Sequence, residues 1–190
     1  MSDNVIIIRL PVIYLPVTLR EMGWYFAHNK WKFGQEIMVK THTLFRLEWS
    51  TFWADANAFY DSLDVSGRHV IDVGADVGVT PIFFLRRGTK DVIGYSLDRQ
   101  LFHHQAYRHV SGRSTGREIM EQCDPAGAAL KMDAEGLEWQ FDIDWIAKCH
   151  DWIIGLHIPV ENSELYNWIK ENGILIGDQG PAEFAIYKKL

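Results

Sequence analysis

Two short stretches of this sequence could do chemistry. The first is Val70-Ile71-Asp72-Val73-Gly74-Ala75-Asp76-Val77-Gly78-Val79-Thr80. An apolar strand runs there into a glycine-containing turn that opens a helix. Gly74 permits a tight turn, and Gly78 permits close approach of the helix to the sheet or to a ligand. The second comprises Asp133, Glu135 and His157, at the ends of two apolar runs, Ala128 to Asp133 and Trp152 to Ile158. An imidazole with its ordinary pKa of about 6.5 can take a proton near neutrality. A carboxylate beside it can orient an acceptor or a cationic ligand. The same three residues could also form a metal site, but no tight ligand spacing such as H-x-x-x-H supports one, so no metal is expected. For His157 a plainer reading competes, that of a strand-end residue bonded to backbone.

Two ligand classes suit a strand–turn–helix of this kind. A dinucleotide needs G-x-G-x-x-G, with glycine where the backbone meets the pyrophosphate. Here that middle position is Asp76, and a carboxylate beside a pyrophosphate is electrostatically wrong. This weighs against a nicotinamide dehydrogenase. S-adenosylmethionine carries no phosphate but a cationic amine and a sulfonium, which Asp72 and Asp76 suit better. It is therefore the expected cofactor. A tight turn that holds no ligand is the alternative.

The elements that must position these residues alternate along the chain. His69 to Val73 reads as a central parallel strand, Val79 to Arg87 as a helix stopped by Gly88, and Asp91 to Leu97 as a second buried strand. Arg99 to Val110 is expected to be helical, which would put His103, His104 and His109 on a solvated face. Arg117 to Gln122 reads as a short helix, Ala128 to Asp133 as a third strand, and Trp139 to Cys149 as a helix. Trp152 to Ile158 reads as a fourth strand and Ser163 to Asn172 as a helix ended by Gly173. Ile174 to Gly177 and Phe184 to Lys188 read as a closing hairpin. Together these predict an α/β fold with a mostly parallel sheet and one antiparallel strand.

Residues 66–190 are expected to form this Rossmann-like domain, and residues 1–65 an aromatic-rich extension. In the extension, Val5 to Ile8, Val12 to Leu15 and Gln35 to Trp49 read as strands. A helix capped by Ser50 follows, with Phe52, Ala56, Phe59, Tyr60 and Leu63 on one face. Trp24, Tyr25, Phe26, Trp31, Phe33, Trp49 and Trp53 suit either a stacking surface or packing onto the main core.

The formal charge of −6 lacks the basic footprint of a nucleic-acid binder. Met1 to Leu19 is apolar but broken by Arg9, Pro11 and Pro16, so no membrane association is expected. With two cysteines and no C-x-x-C pair, a disulfide framework is not expected either. A soluble, cytoplasmic protein acting on a small-molecule acceptor is the reading.

Val70 to Asp98 resembles the opening of FkbM-type methyltransferases, whose pattern is roughly (I/V)D(I/V)GA(N)xG. Lys131-Met132-Asp133-Ala134-Glu135-Gly136 is similar to that family's K-(I/M)-D-x-E-G segment, and Ile154-Gly155-Leu156-His157 to its later strand ending in histidine. The resemblance runs from Gly67 to Leu190. It implies a Rossmann-like methyltransferase fold and O-methyl transfer to a small or carbohydrate-like acceptor. It implies that Asp72 to Gly78, Gly74, Ala75 and Asp76 among them, surround the methionine part of the cofactor. It also implies that the end of the second strand holds the ribose, and that Asp133, Glu135 and His157 face the reaction site.

Three departures from the family pattern stand out. Asp76 replaces asparagine. Ser96 occupies the acidic position at the end of the second strand, with Asp98 two residues on. A serine cannot accept from both ribose hydroxyls as a carboxylate can. Between Asp98 and Asp133 no third strand is evident, so the sheet is expected to be one strand narrower. Its adenine side would then be open or completed by a second subunit of a homo-oligomer. Ser96 and the missing strand support an alternative, a non-catalytic ligand- or partner-binding protein on a reduced methyltransferase fold.

Overall fold

The computed structural model describes residues 24–27, 30–33, 37–40, 56–75, 78–97, 102–178 and 184–190. Its first strands are β1 (Trp24–Ala27), β2 (Lys30–Phe33) and β3 (Ile37–Lys40), and a π-helical turn follows at Ala56–Tyr60. Then come β4 (His69–Val73), α1 (Val79–Arg86), β5 (Asp91–Ser96), β6 (Phe102–His103) and β7 (Tyr107–Ser111). Next are α2 (Gly116–Gln122), β8 (Ala129–Met132), a 3-10 turn (Leu137–Gln140), α3 (Ile143–Ala147) and β9 (Asp151–His157). The chain closes with α4 (Ser163–Asn172), β10 (Gly173–Asp178) and β11 (Phe184–Lys189).

The main sheet has the order β10-β11-β9-β8-β4-β5-β7. Strands β9, β8, β4, β5 and β7 are parallel, and β11 runs antiparallel to both β9 and β10. This is the expected Rossmann-like α/β fold, a mostly parallel sheet with a C-terminal antiparallel hairpin. Burial on both faces explains the sequences of the central strands: β8 is wholly buried, and β4 is buried after His69. From β4 the chain builds β5 and β7 on one side, then returns to β8 on the other. The crevice above the carboxyl ends of β4 and β8 is therefore the topological switch point, where open α/β sheets bind ligands.

Three expectations are corrected, the width of the sheet and two of the helices. The sheet is not one strand narrower. The missing strand is β7, in the segment read as the helix Arg99 to Val110, of which residues 99–101 lie outside the described residues. Tyr107 is buried and pairs with Val92, and β7 follows β5 in register as far as Ser96 and Ser111. The pairing is possible because Gly94 has no side chain. A Cβ there would stand 2.9 Å from the Tyr107 ring and 2.9 Å from the Ala75 methyl. His103 and His109 accordingly lie on β6 and β7, and not on a solvated helix. The single helix expected over Trp139 to Cys149 is also broken. Phe141 is extended and buried, and its ring packs on Trp145 at 5.5 Å, so the 3-10 turn and α3 are separate.

A second sheet, of order β1-β2-β3-β6, joins the early strands to the main domain through β6. Met38 pairs with His103 and Val39 with Phe102. The strands expected at Val5 to Ile8 and Val12 to Leu15 lie outside the described residues, as do Ser50 and Phe52. Beyond the π-helical turn, Leu63 is fully buried. The backbone N–H of Asp64 donates to Asp151 Oδ2 at 2.9 Å, and the Asp64 carboxylate meets Arg68 and His150. The stretch before β4 is thus tied down beneath the sheet.

Candidate functional site

Three strand ends converge on the glycine turn. Gly74 has φ 82, and a Cβ placed on it would lie 1.7 Å from the Asp133 carbonyl oxygen. Only a glycine allows β4 and β8 to close this tightly. The N–H groups of Gly74 and Ala75 both donate to the Tyr95 carbonyl, at 3.0 and 2.9 Å, and Asp133 N–H donates to the Val73 carbonyl at 3.0 Å. Gly78, with φ 98, is the N-cap of α1, and its N–H returns to the Ala75 carbonyl at 2.8 Å. Gly74→Ala combines about 1–2 kcal/mol of left-handed backbone strain with about 1–3 kcal/mol for displacing Asp133. Urea unfolding is expected to show that loss as a lower midpoint with an unchanged slope. An unchanged midpoint would mean that the turn is not held as described.

Beneath the turn lies a buried ion pair. Asp72, fully buried, accepts from the Thr80 hydroxyl at 2.5 Å and faces Lys131 Nζ at 3.2 Å. Lys131, also buried, donates to the Gly74 carbonyl at 2.5 Å, and its ammonium lies 5.5 Å from the centre of the Tyr60 ring. Burial pushes the Asp72 carboxyl above its usual range, against the opposing pull of Lys131 and Thr80. Burial, and then the Asp72 charge, likewise push up the Tyr107 phenol. Asp72 thus braces the turn from below.

Above β8 and β9 the second cluster assembles. His157 Nδ1 lies 2.9 Å from Glu138 Oε1, and the His157 backbone N–H donates to the same oxygen at 2.7 Å. Gly136 N–H donates to Glu138 Oε2 at 2.9 Å. Glu138 is fully buried, so this carboxylate is held by three donors, one of them the imidazole. The other ring nitrogen, Nε2, lies 3.6 Å from Asp133 Oδ1. The second Asp133 oxygen accepts from the Tyr60 hydroxyl at 2.7 Å. Half-burial lowers the His157 pKa, but the Glu138 hydrogen bond and the Glu138, Asp133 and Glu135 charges together carry it above its usual value.

Of the residues singled out from sequence, Asp133 and His157 come together as expected. Glu135 is exposed on a left-handed backbone, φ 53, and reaches His157 only through its charge. Ser96 closes β5 half-buried, level with Ser111 on β7, and its carbonyl accepts from Gly112 N–H at 3.0 Å. Leu97, next along, is 72% exposed. Asp76 and Asp98 lie outside the described residues. Sequence reasoning missed Glu138, Lys131 and Tyr60 as site residues. A lysine inside the otherwise apolar run of β8 was the readable signal for Lys131. Nothing local marked Glu138 or the Tyr60 hydroxyl.

No family model matches the chain. It is similar to uncharacterized protein 65 of Sulfolobus islandicus filamentous virus (isolate Iceland/Hveragerdi), 26% identical over 129 residues, covering 66% of this chain and 82% of the relative. It is also similar to uncharacterized protein 158B of Sulfolobus islandicus rod-shaped virus 1, 25% identical over 121 residues, covering 58% of this chain and 74% of the relative. Among solved structures it is similar to M. capricolum TrmK in complex with S-adenosyl-homocysteine, with a TM-score of 0.46 and 10% identity, over 76% of this chain and 67% of that one. At that level the likeness carries nothing about function. Among the described residues no helix is long and apolar enough to cross a membrane.

Proposed function

We propose that this chain is an S-adenosylmethionine-dependent methyltransferase of the FkbM type, acting on an oxygen of a small or carbohydrate-like acceptor. The observation that carries this reading is the meeting, at the switch point, of the Gly74 turn with Asp133 and the Glu138–His157 pair. The donor set fits a cationic ligand. Asp133 and Glu135 make the crevice acidic, and the nearby Lys131 is turned inward to Asp72 and the Gly74 carbonyl. A phosphate would find no such complement, and a polyanionic acceptor would be repelled. Ser96 offers a hydroxyl for the ribose, and exposed Leu97 an apolar surface for the adenine. Ala75 and Gly78 would bound the methionine part.

The bound cofactor supplies an electrophilic methyl group on a sulfonium. The chain's own residues align the acceptor and manage one proton. Glu138 accepts from Nδ1–H, which leaves the Nε2 lone pair as the base. Nε2 would take the proton that the acceptor hydroxyl gives up when it accepts the methyl group. The imidazolium so formed lies between Glu138 and Asp133, both negative, and is stabilised by them.

Calorimetric titration tests the reading. S-adenosylmethionine is expected to bind in the micromolar range and NADH not at all. No heat at millimolar S-adenosylmethionine would overturn it. Tight binding with no turnover on any small hydroxylated acceptor would favour the non-catalytic alternative, to which Ser96 in place of a carboxylate points.

A further inference from the structure

We propose that Tyr60 is a positioning residue. Its hydroxyl holds the Asp133 carboxylate off the His157 ring, and so sets how readily His157 gives up its proton. The inference takes its functional meaning from the reading of His157 as the base, but its test does not depend on that reading.

The geometry is specific. Asp133 has two oxygens with different neighbours. Oδ2 accepts the Tyr60 hydroxyl at 2.7 Å, a short and strong bond to an ionised acceptor. Oδ1 stands 3.6 Å from His157 Nε2, which is near enough for charge to act and too far for a good hydrogen bond. Tyr60 is itself held firmly. Its side chain is buried at 5% exposure, and its ring lies against the Lys131 ammonium, which Asp72 and the Gly74 carbonyl fix in turn. The residue therefore connects the stretch before β4 to the reacting edge of the sheet.

Among the described residues, the carboxylates that act on His157 include Glu138 from the 3-10 turn, Asp133 at the end of β8, and Glu135 in the turn between them. Tyr60 acts on the ring through Asp133. A base must be free of its proton to work. An Asp133 carboxylate released from Tyr60 would turn onto Nε2–H, bond to it, and hold the imidazole protonated. Tyr60 prevents this by occupying the other oxygen.

The test is the titration of His157 followed by its ring resonances, in the full chain with neither cofactor nor acceptor present. Tyr60→Phe removes only the hydroxyl. It is expected to raise the His157 midpoint by about half a pH unit or more. In the Asp133→Asn background the same substitution is expected to leave the midpoint unchanged, because the group that transmits the effect has gone. A purely structural role for Tyr60 would not vanish in that background. An unchanged midpoint in folded Tyr60→Phe, or an equal shift with Asp133→Asn present, overturns the proposal.

If Tyr60→Phe does not fold, the unsubstituted protein gives the answer. The Tyr60 Cζ resonance is expected to move with the His157 midpoint, and a flat Cζ response overturns the proposal. Should S-adenosylmethionine fail to bind, these results still stand or fall alone. Where turnover is measured, the acid limb of kcat/KM in Tyr60→Phe is expected to rise by the same amount as the midpoint.

Discussion

Replacing His157 by alanine is expected to slow methyl transfer by roughly 10²–10⁴-fold, the usual contribution of a positioned general base. S-adenosylmethionine binding is expected to persist, since the proposed reading gives His157 to the acceptor and not to the cofactor. The pH dependence gives a sharper test. The His157 pKa lies above its usual value because Glu138, Asp133 and Glu135 outweigh the effect of burial. Activity that needs the neutral ring is therefore lost as pH falls through that raised value, and the acid limb of kcat/KM should lie above 6.5. Glu138→Gln removes the hydrogen-bonded charge at Nδ1, so the limb should move to lower pH. The plateau should fall as well, because a glutamine amide does not favour the productive tautomer as the carboxylate does. A kcat/KM profile that keeps its acid limb in place in Glu138→Gln would remove His157 from the role of base.

The parts of this arrangement that could be read from sequence are those set by local pattern. His69 to Val73 is an apolar run ending in Gly74, and a strand buried on both faces followed by a tight turn is its natural outcome. Ser163 to Asn172 keeps helical periodicity and has Asn162 to cap it, with the Asn162 side chain accepting from Leu165 N–H. Strand β7 was illegible for a physical reason. It is a sheet edge on which Tyr107 is buried and Arg108 and Ser111 are exposed, so five residues carry too little alternation to be told from a helix. What places it is Gly94 on the neighbouring strand, where a missing side chain makes room for the Tyr107 ring.

The site divides along the same line. Asp133 and His157 were visible because each ends a strand, and parallel strands bring their carboxyl ends together. Glu138 was not, since a glutamate in the run Leu137-Glu138-Trp139 reads as solvated. Its burial arises only when β9 lays the His157 backbone N–H against it. Tyr60 was read as an apolar helix residue, and its hydroxyl meets a carboxylate 73 positions away. Short-range pattern carries no information about such a contact. The fold therefore explains why the chemistry was half legible. The charges that act through strand ends could be found, and those that act through tertiary closure could not.

Lys131→Met is expected to be the most destabilising single change in the site, costing about 3–5 kcal/mol, because it leaves a buried carboxylate without its counter-charge. Among the described residues, fully buried Asp72 would keep the Thr80 hydroxyl alone, and the Gly74 carbonyl would lose the Lys131 donor. The cost should depend on pH in a definite direction. Burial already raises the folded-state pKa of Asp72 above its ordinary value of 3.8. An acid whose folded pKa is raised destabilises the fold progressively as pH climbs from the unfolded value through the folded one. Loss of Lys131 raises the folded value further. Lys131→Met should therefore cost most near neutrality and least below pH 3.8, where the carboxyl is protonated in both states. Adding Asp72→Asn should return most of the lost stability at neutral pH, since a neutral amide can still accept from Thr80. Urea unfolding of the two single variants and the double variant at neutral and acid pH measures all of this. Additive losses with no rescue and no pH dependence would mean that Lys131 supports the turn by packing and not by charge. The same buried pair that makes the Gly74 turn costly to assemble also keeps the Lys131 ammonium turned in toward Asp72 and the Gly74 carbonyl, as the proposed binding of a cationic ligand requires.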